Sequence, residues 1–300
     1  MGKHAYLVMA HSNAESLINC IKSIDDERND IFIHLDKKWK DVDCSLIENA
    51  TKKSHIYFTN RISVSWGGDT QIKCELLLLR LAIDTGDYDY YHLLSGQDMC
   101  IKTQDYIHKF FAEHYGVEFV AIGDDEWTES VSGRVKYYYF LQGRRDSYIL
   151  NYTNKILKVL QKLVGVNRLR NNKLKLMSGS QWFSITGELA KYLLEKENVI
   201  WKMFGKGRCV DEMFLQTLIT NEPKFFDAVY DFENNEYPRN MANLRLIDWK
   251  RGNPYVFKEE DFEEIMESPF CFVRKVTTEN NLPQMILEEI DRRNKISIKV

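Results

Sequence analysis

Only five prolines occur in 300 residues, with no low-complexity tract, which argues against a long disordered linker. No stretch approaches the roughly 18 uninterrupted apolar residues of a helical membrane span. A net charge of −3 lacks the strongly basic balance of general nucleic-acid binders, so no nucleic-acid partner is expected. The six cysteines, at 20, 44, 74, 100, 209 and 271, include no CxxC and no paired spacing. A chain of this length needs no disulfides, so they read as buried free thiols in a reducing cytosol. The first residues show no signal-peptide cleavage pattern, and position 6 is Tyr6 where a myristoylation signal wants serine or threonine.

Chemical signatures are missing too. HExxH, the phosphate-loop GxxxxGK[ST], GxGxxG and the GxSxG nucleophile elbow are all absent. Two acidic pairs of the metal-holding type exist, Asp41-Val42-Asp43 and Asp87-Tyr88-Asp89. The first lies in a polar stretch. The second precedes an apolar run, whereas a metal-binding pair should follow a strand. No metal site is expected.

What is present is a soluble-globular composition, 44% hydrophobic and 28% charged, with 13% aromatics that suit stacking on sugars or bases as well as core packing. The pattern predicts strands over 4–10, 30–35, 56–58, 90–95 and 117–122, and helices over 14–23, 70–85 and 106–114. Strands alternating with helices imply an α/β fold with a mostly parallel sheet covered on both faces. Ligands in such sheets bind beyond the carboxyl ends of the strands. Attention therefore falls on 10–13, 36–38, 95–98 and 123–126, although polar loops follow strands in any case.

Further along, 151–177 holds seven Lys or Arg and no acid. Ile156, Val159, Leu160, Leu163 and Val164 fall on one helical face and Lys155, Lys158 and Lys162 on another. The pattern suits an anionic membrane surface or an ordinary surface helix. A small-residue loop, a short strand and a helix are expected from 178, then a helix over 210–220 with Asp211 and Glu212 in its first turn. Such carboxylates commonly serve only the helix dipole and cap. The tail holds an extended segment over 244–249, an acidic helix over 258–267 and a strand over 270–276. Arg274 and Lys275 at its end read equally well as solvated charges.

Six strings in order carry a resemblance: His34-Leu35-Asp36-Lys37, Val64-Ser65-Trp66-Gly67-Gly68, Leu93-Leu94-Ser95-Gly96-Gln97-Asp98, Ser178-Gly179-Ser180-Gln181-Trp182-Phe183, Asp211-Glu212-Met213-Phe214 and Phe272-Val273-Arg274-Lys275. Together they resemble the core 2/I-branching glycosyltransferase family, which includes β-1,6-N-acetylglucosaminyltransferases and peptide O-xylosyltransferases. The resemblance implies one GT-A-type domain over 1–300, with a nucleotide-binding part near 1–125 and an acceptor-binding and catalytic part over 126–300. It implies an inverting enzyme with no catalytic metal or other cofactor and a UDP-sugar donor. It places the catalytic base on Glu212, diphosphate contacts on Arg274 and Lys275, and uridine recognition near Asp36 with Lys38 beside it. Arg251 is a further diphosphate candidate, with Arg245 its rival. Trp182, Gln181, Asp98 and Asp211 make up the sugar and acceptor side, Asp211 also reading as a capping or orienting residue. The membrane anchor and disulfide cysteines of animal members are missing, which favours a cytosolic, bacterial enzyme, at most peripheral on the inner membrane face.

The chemistry suits these residues. An inverting transfer needs one base for the acceptor hydroxyl, a contribution of roughly 10²–10⁴-fold. A diphosphate leaving group needs its charge neutralised rather than a proton, and two fixed cations can do this in place of Mg²⁺. A non-catalytic sugar- or nucleotide-binding module and a membrane-surface scaffold are the alternatives. N-acetylglucosamine is the first donor expected. A glycan or lipid-linked glycan acceptor in cell-surface polysaccharide synthesis is expected with it.

Overall fold

Strand β1 (His4–Ala10) is apolar at nearly every position because both its faces are covered. Ala5 and Leu7 enter one core, while Tyr6, Val8 and Ala10 enter another on the opposite side, the alternation any strand imposes. The computed structural model describes residues 2–142, 148–232 and 237–297. With β2 (Asn29–Leu35), β3 (His55–Phe58), β4 (Tyr90–Ser95), β6 (Phe119–Ile122) and β7 (Gly179–Thr186), β1 forms a six-stranded sheet ordered β3-β2-β1-β4-β7-β6. The first four strands run parallel. β7 runs antiparallel between β4 and β6.

The Thr70–Thr85 helix covers one face, and its Ile72, Leu76, Leu78, Leu79 and Ala82 belong to the first core. The Ala14–Ser23 and Gln104–Glu113 helices cover the other through Leu17, Cys20, Ile21, Ile107 and Phe111. Burying a large apolar side chain stabilises by about 1.5–3 kcal/mol, so these layers anchor the strand ends firmly. A second sheet of β5 (Asp98–Cys100), β9 (Phe272–Arg274) and β8 (Arg245–Ile247) sits just beyond β4. The Leu282–Ser297 helix backs it through Leu282, Ile286 and Ile290.

Most expected elements fall within a residue or two of their places. Three differences bear on function. The 178–186 segment is a full strand from Gly179 rather than loop then strand. The expected helix over 210–220 starts only at Phe214, so Asp211 and Glu212 lie in a turn outside it. Asp98, expected in the loop after β4, opens the short strand Asp98–Cys100.

Candidate active site

Chain order reverses between β1 and β4: from β1 the sheet grows through β2 one way, and β4 lies on the other side. This is the switch point where α/β sheets open a crevice at their carboxyl ends. Beyond β4 the chain turns straight into β5, and Asp98 ties the turn. Its carboxylate accepts the Ser95 N–H at 2.8 Å and the Ser95 hydroxyl at 2.9 Å. β9 pairs antiparallel with β5 so that Arg274 stands opposite Asp98. Arg274 Nη1 donates to Asp98 Oδ1 at 2.6 Å and to Ser95 Oγ. Its guanidinium lies 4.2 Å from the Trp182 ring centroid. The arginine is thereby fixed between a carboxylate and an indole face, a geometry suited to its planar fork.

Across the crevice, Asp36 follows β2 and is buried. Its Oδ1 accepts the Lys38 N–H at 2.8 Å and its Oδ2 the Val64 N–H at 3.2 Å, with Lys38 Nζ 3.4 Å from Oδ2. His11, after β1, senses both sides. The residue is exposed, yet partial desolvation, and next the charge of Lys275, hold its pKa below the ordinary value. Arg274 and Lys38 act the same way and Asp36 opposes them. The ring is therefore neutral at neutral pH, and the positive charge here belongs to Lys275, Arg274 and Lys38.

The carboxylate side is built on the turn before the Phe214–Thr220 helix. Glu212 is held there because its backbone C=O accepts the Gly179 N–H of β7 at 2.8 Å. Its Oε2 accepts from Arg134 Nη1 at 2.6 Å, and both side chains keep solvent contact. Among the described residues its Oε1 has no hydrogen bond. Asp211, its neighbour, points inward. Gln71 Nε2 donates to Asp211 Oδ2 at 2.9 Å and to Gln181 Oε1 at 3.4 Å, and Gln181 Nε2 donates to Glu75 Oε1 at 2.8 Å. Gln71 Oε1 also accepts the Gly67 N–H. Gly67 takes φ +67°, which glycine adopts freely, and its C=O accepts the Cys209 N–H at 2.8 Å. Burial first, and then the Glu212 charge, raise the Asp211 pKa to about 7.

These contacts place Arg274, Lys275, Asp36, Lys38 and Trp182 around one crevice, and Glu212 on the loop clasped to β7. Three residues expected to face sugar or acceptor are instead turned inward. Asp98 is fully buried, and its oxygens are engaged by Ser95 and Arg274, so it holds the arginine rather than a sugar. Asp211 is buried and caps no helix, since that helix begins after Met213. Gln181 is committed to Glu75 and Gln71. Arg251 is gripped by Asp248, Asp261 and Glu264. Its loop reaches the crevice through backbone contacts with Lys275, whose N–H donates to the Tyr255 C=O and whose C=O accepts the Phe257 N–H. Its rival Arg245 is buried beneath the crevice, bonded to Ser184 and to backbone carbonyls. The loop at 123–126 caps the Asp125–Val131 helix through Asp124.

Sequence reading singles out none of Arg134, Gln71 and Glu75, and reaches His11 only as part of the 10–13 segment directly after β1. Of the acidic pairs, Asp43 caps the Cys44–Glu48 helix and Asp87 pairs with Lys191. Among the described residues no cluster of three His, Cys, Asp or Glu is placed to hold a metal, and no helix is long and apolar enough to cross a membrane.

The family model described as Core-2/I-Branching enzyme matches residues 4–268. That span stops short of Arg274 and Lys275, whose place at the crevice rests on the pairing of β9 with β5. Among curated proteins none matches the chain. Solved structures include mouse xyloside xylosyltransferase 1 in its apo form, with TM-score 0.42 and 12% identity over 91% of this chain and 97% of that one. Core-mannan synthase A from Aspergillus fumigatus, in its Mn/GDP form, gives TM-score 0.35 and 9% identity over 77% and 72% of the two chains. At that distance neither bears on the chemistry of this chain.

Proposed function

The chain belongs to the Core-2/I-Branching enzyme family and is a glycosyltransferase, and from that premise we propose that it moves a sugar from a UDP-sugar to a glycan hydroxyl in one inverting, metal-independent displacement. The observation that supports this most is the division of charge: a solvent-reachable carboxylate on the loop clasped to β7, and cations on the strand end of β9. The acceptor oxygen attacks the anomeric carbon as the bond to the β-phosphate oxygen breaks. Its proton passes to Glu212 Oε1, and the bonding pair leaves with UDP. Arg134, bonded to Oε2, orients the base. Arg274 and Lys275 meet the diphosphate charge as it develops, which is where fixed cations in a water-poor site act most strongly. Asp36 already braces the Lys38 and Val64 backbone, so it shapes the uridine side chiefly by ordering that loop.

N-acetylglucosamine is the first donor sugar in this reading, and the product belongs to cell-surface polysaccharide synthesis at the cytoplasmic membrane face. The Tyr148–Leu163 helix supports membrane contact. Leu163 and Val164 are 77% and 76% exposed beside the basic row of Lys155, Lys158 and Lys162.

A panel of UDP-sugars tests the core of the proposal. The cognate donor should raise the thermal midpoint by mass action and be turned over in excess EDTA. Loss of turnover on chelation, restored by Mn²⁺, overturns the cation argument. Binding without transfer or hydrolysis makes the chain a binding module.

A further inference from the structure

Glu75 and Asp211 are two acids with no ion-pair partner among the described residues. They are 0% and 4% exposed, on the Thr70–Thr85 helix and on the turn that carries Glu212. Each has one oxygen on a side-chain amide, Gln181 for Glu75 and Gln71 for Asp211, and the two amides bond to each other. Each also has one oxygen, Glu75 Oε2 and Asp211 Oδ1, that is buried without a hydrogen bond. Two like charges in such a place cannot both persist, because each disfavours the other and burial disfavours both. Leaving buried oxygens unsatisfied costs stability that an apolar pair would not. An arrangement this costly, bonded directly to the base loop and to the strand of Trp182, points to function.

We infer that Glu75 is a positioning residue for the transfer reaction: with Asp211 it forms a buried pair that carries one charge and one proton, and the Gln71–Gln181 bridge lets that pair lock the Glu212 turn against β7. This rests on Glu212 as the base. Gln71 is the hub, because it also holds the Gly67 turn, which in turn holds Cys209. Among the described residues, the charged and titratable groups around the pair are Cys74, Cys209, Glu212 and Arg134. Glu212 opposes a charge on Asp211, but backbone N–H groups of the turn and Arg134 favour it. Glu75 has neither a backbone N–H nor a cation, so the charge rests on Asp211 and the proton on Glu75. Burial and the Asp211 charge raise the Glu75 pKa in agreement. As pH rises through the raised Glu75 value a second charge is forced onto the pair, and the lock loosens.

The test uses Glu75→Gln and Glu75→Leu in the full chain. Both native carboxyls bind protons more tightly folded than unfolded, so their stability is complete below the ordinary carboxylate pKa and is lost as pH rises through the raised values. Glu75→Gln, permanently neutral, should gain thermal stability over the native chain, and gain more at about pH 8 than at about pH 6. It should also move the alkaline limb of the kcat profile to higher pH. Glu75→Leu leaves Gln181 Nε2 the weak Met9 sulfur at 3.7 Å in place of a carboxylate, and kcat should fall about tenfold while the donor KM changes less than about threefold. A Glu75→Gln gain equal at both pH values, or an unmoved alkaline limb, overturns the inference, as does a folded Glu75→Leu with native kcat. The thermal comparison needs no turnover. An inactive native chain would thus sink the transferase reading while leaving the shared proton to be judged by stability.

Discussion

Glu212 and Asp211 are adjacent in sequence and opposite in environment. One meets solvent and Arg134, the other is enclosed and bonded to Gln71. Glu212→Gln keeps the shape and the amide oxygen while removing basicity. Its kcat should fall about 10²-fold or more with UDP affinity retained, read by steady-state kinetics beside calorimetric titration of UDP. If Asp211→Asn is the more damaging change, the base has been assigned to the wrong carboxylate. Arg274 has a double role, because it also satisfies a fully buried Asp98. Arg274→Ala should therefore lower stability as well as diphosphate binding. The loss is that of a charged hydrogen bond, about 1.5–3 kcal/mol in urea unfolding. Native stability in that variant would show that Ser95 alone satisfies Asp98.

At the scale of elements, β1, β4 and the Thr70–Thr85 helix were legible to the residue because runs such as His4–Ala10 are apolar enough to be buried on both faces. β7 and β5 were harder to read. Gly179-Ser180-Gln181 looks like a loop, and what makes it a strand is pairing with Ile122 and Val120 of β6, residues about sixty positions away. The Asp211–Glu212 turn was misjudged for a related reason. Val210 and Met213 have helical spacing, but Glu212 is held by the Gly179 N–H, a contact no local pattern contains. Glu212, Arg274, Lys275 and Asp36 were readable through family strings. Arg134, Glu75 and Gln71 were not, since an arginine in a one-turn helix and two polar residues on an apolar helix have no local signature.

The same elements set a pH response. His4 of β1, His92 of β4 and His108 of the Gln104–Glu113 helix share one buried layer, with His92 Nε2 3.1 Å from His4 Nδ1 and His108 Nε2 2.9 Å from Asn29 Oδ1. Burial, foremost, holds all three pKa values down, His108 to about 4. Their stability is present above the ordinary histidine pKa and is lost as pH falls towards the folded values. Glu75, Glu118 and Asp211 work the other way. Burial raises all three, the latter two to about 7, so they lose stability as pH rises. Between about pH 5 and 6 the protons kept by the three folded carboxyls offset part of the uptake by unfolded histidines, to which His11 and His34, also held below the ordinary value, contribute. Glu118→Gln removes one carboxyl from that offset, so its thermal midpoint should fall more steeply from pH 6 to 5 than the native one. Equal slopes in the two proteins would mean that Glu118 does not hold its proton in the fold.

At the scale of the whole molecule, the exposed basic helix and the crevice are mechanically joined. Gln161 exchanges hydrogen bonds with the backbone of Tyr138 at 2.8 and 2.9 Å, and Asn154 donates to the Leu141 C=O at 2.8 Å. Arg168 stacks 4.5 Å from the Tyr138 ring centroid and clamps the carbonyls of Met203 and Gly205. That docked segment begins at the short Gly133–Lys136 helix, whose Arg134 grips Glu212. A surface bound by the helix would therefore be tied through this segment to the turn that carries Glu212. Ile156, Val159 and Leu160 are exposed with Leu163 and Val164, and seven cations without an acid line 151–177. Each Lys or Arg near an anionic bilayer contributes about 1 kcal/mol, and a Debye length of about 8 Å at physiological salt limits the reach. Sedimentation with anionic vesicles should be strong at low salt and weak at high salt, and should weaken again when Lys155, Lys158 and Lys162 are changed to Glu. The stripe alone would bind neutral vesicles equally well, so equal binding would leave the charge row without a role. No binding at all would return the helix to the acceptor side of the fold and point to an acceptor free in solution.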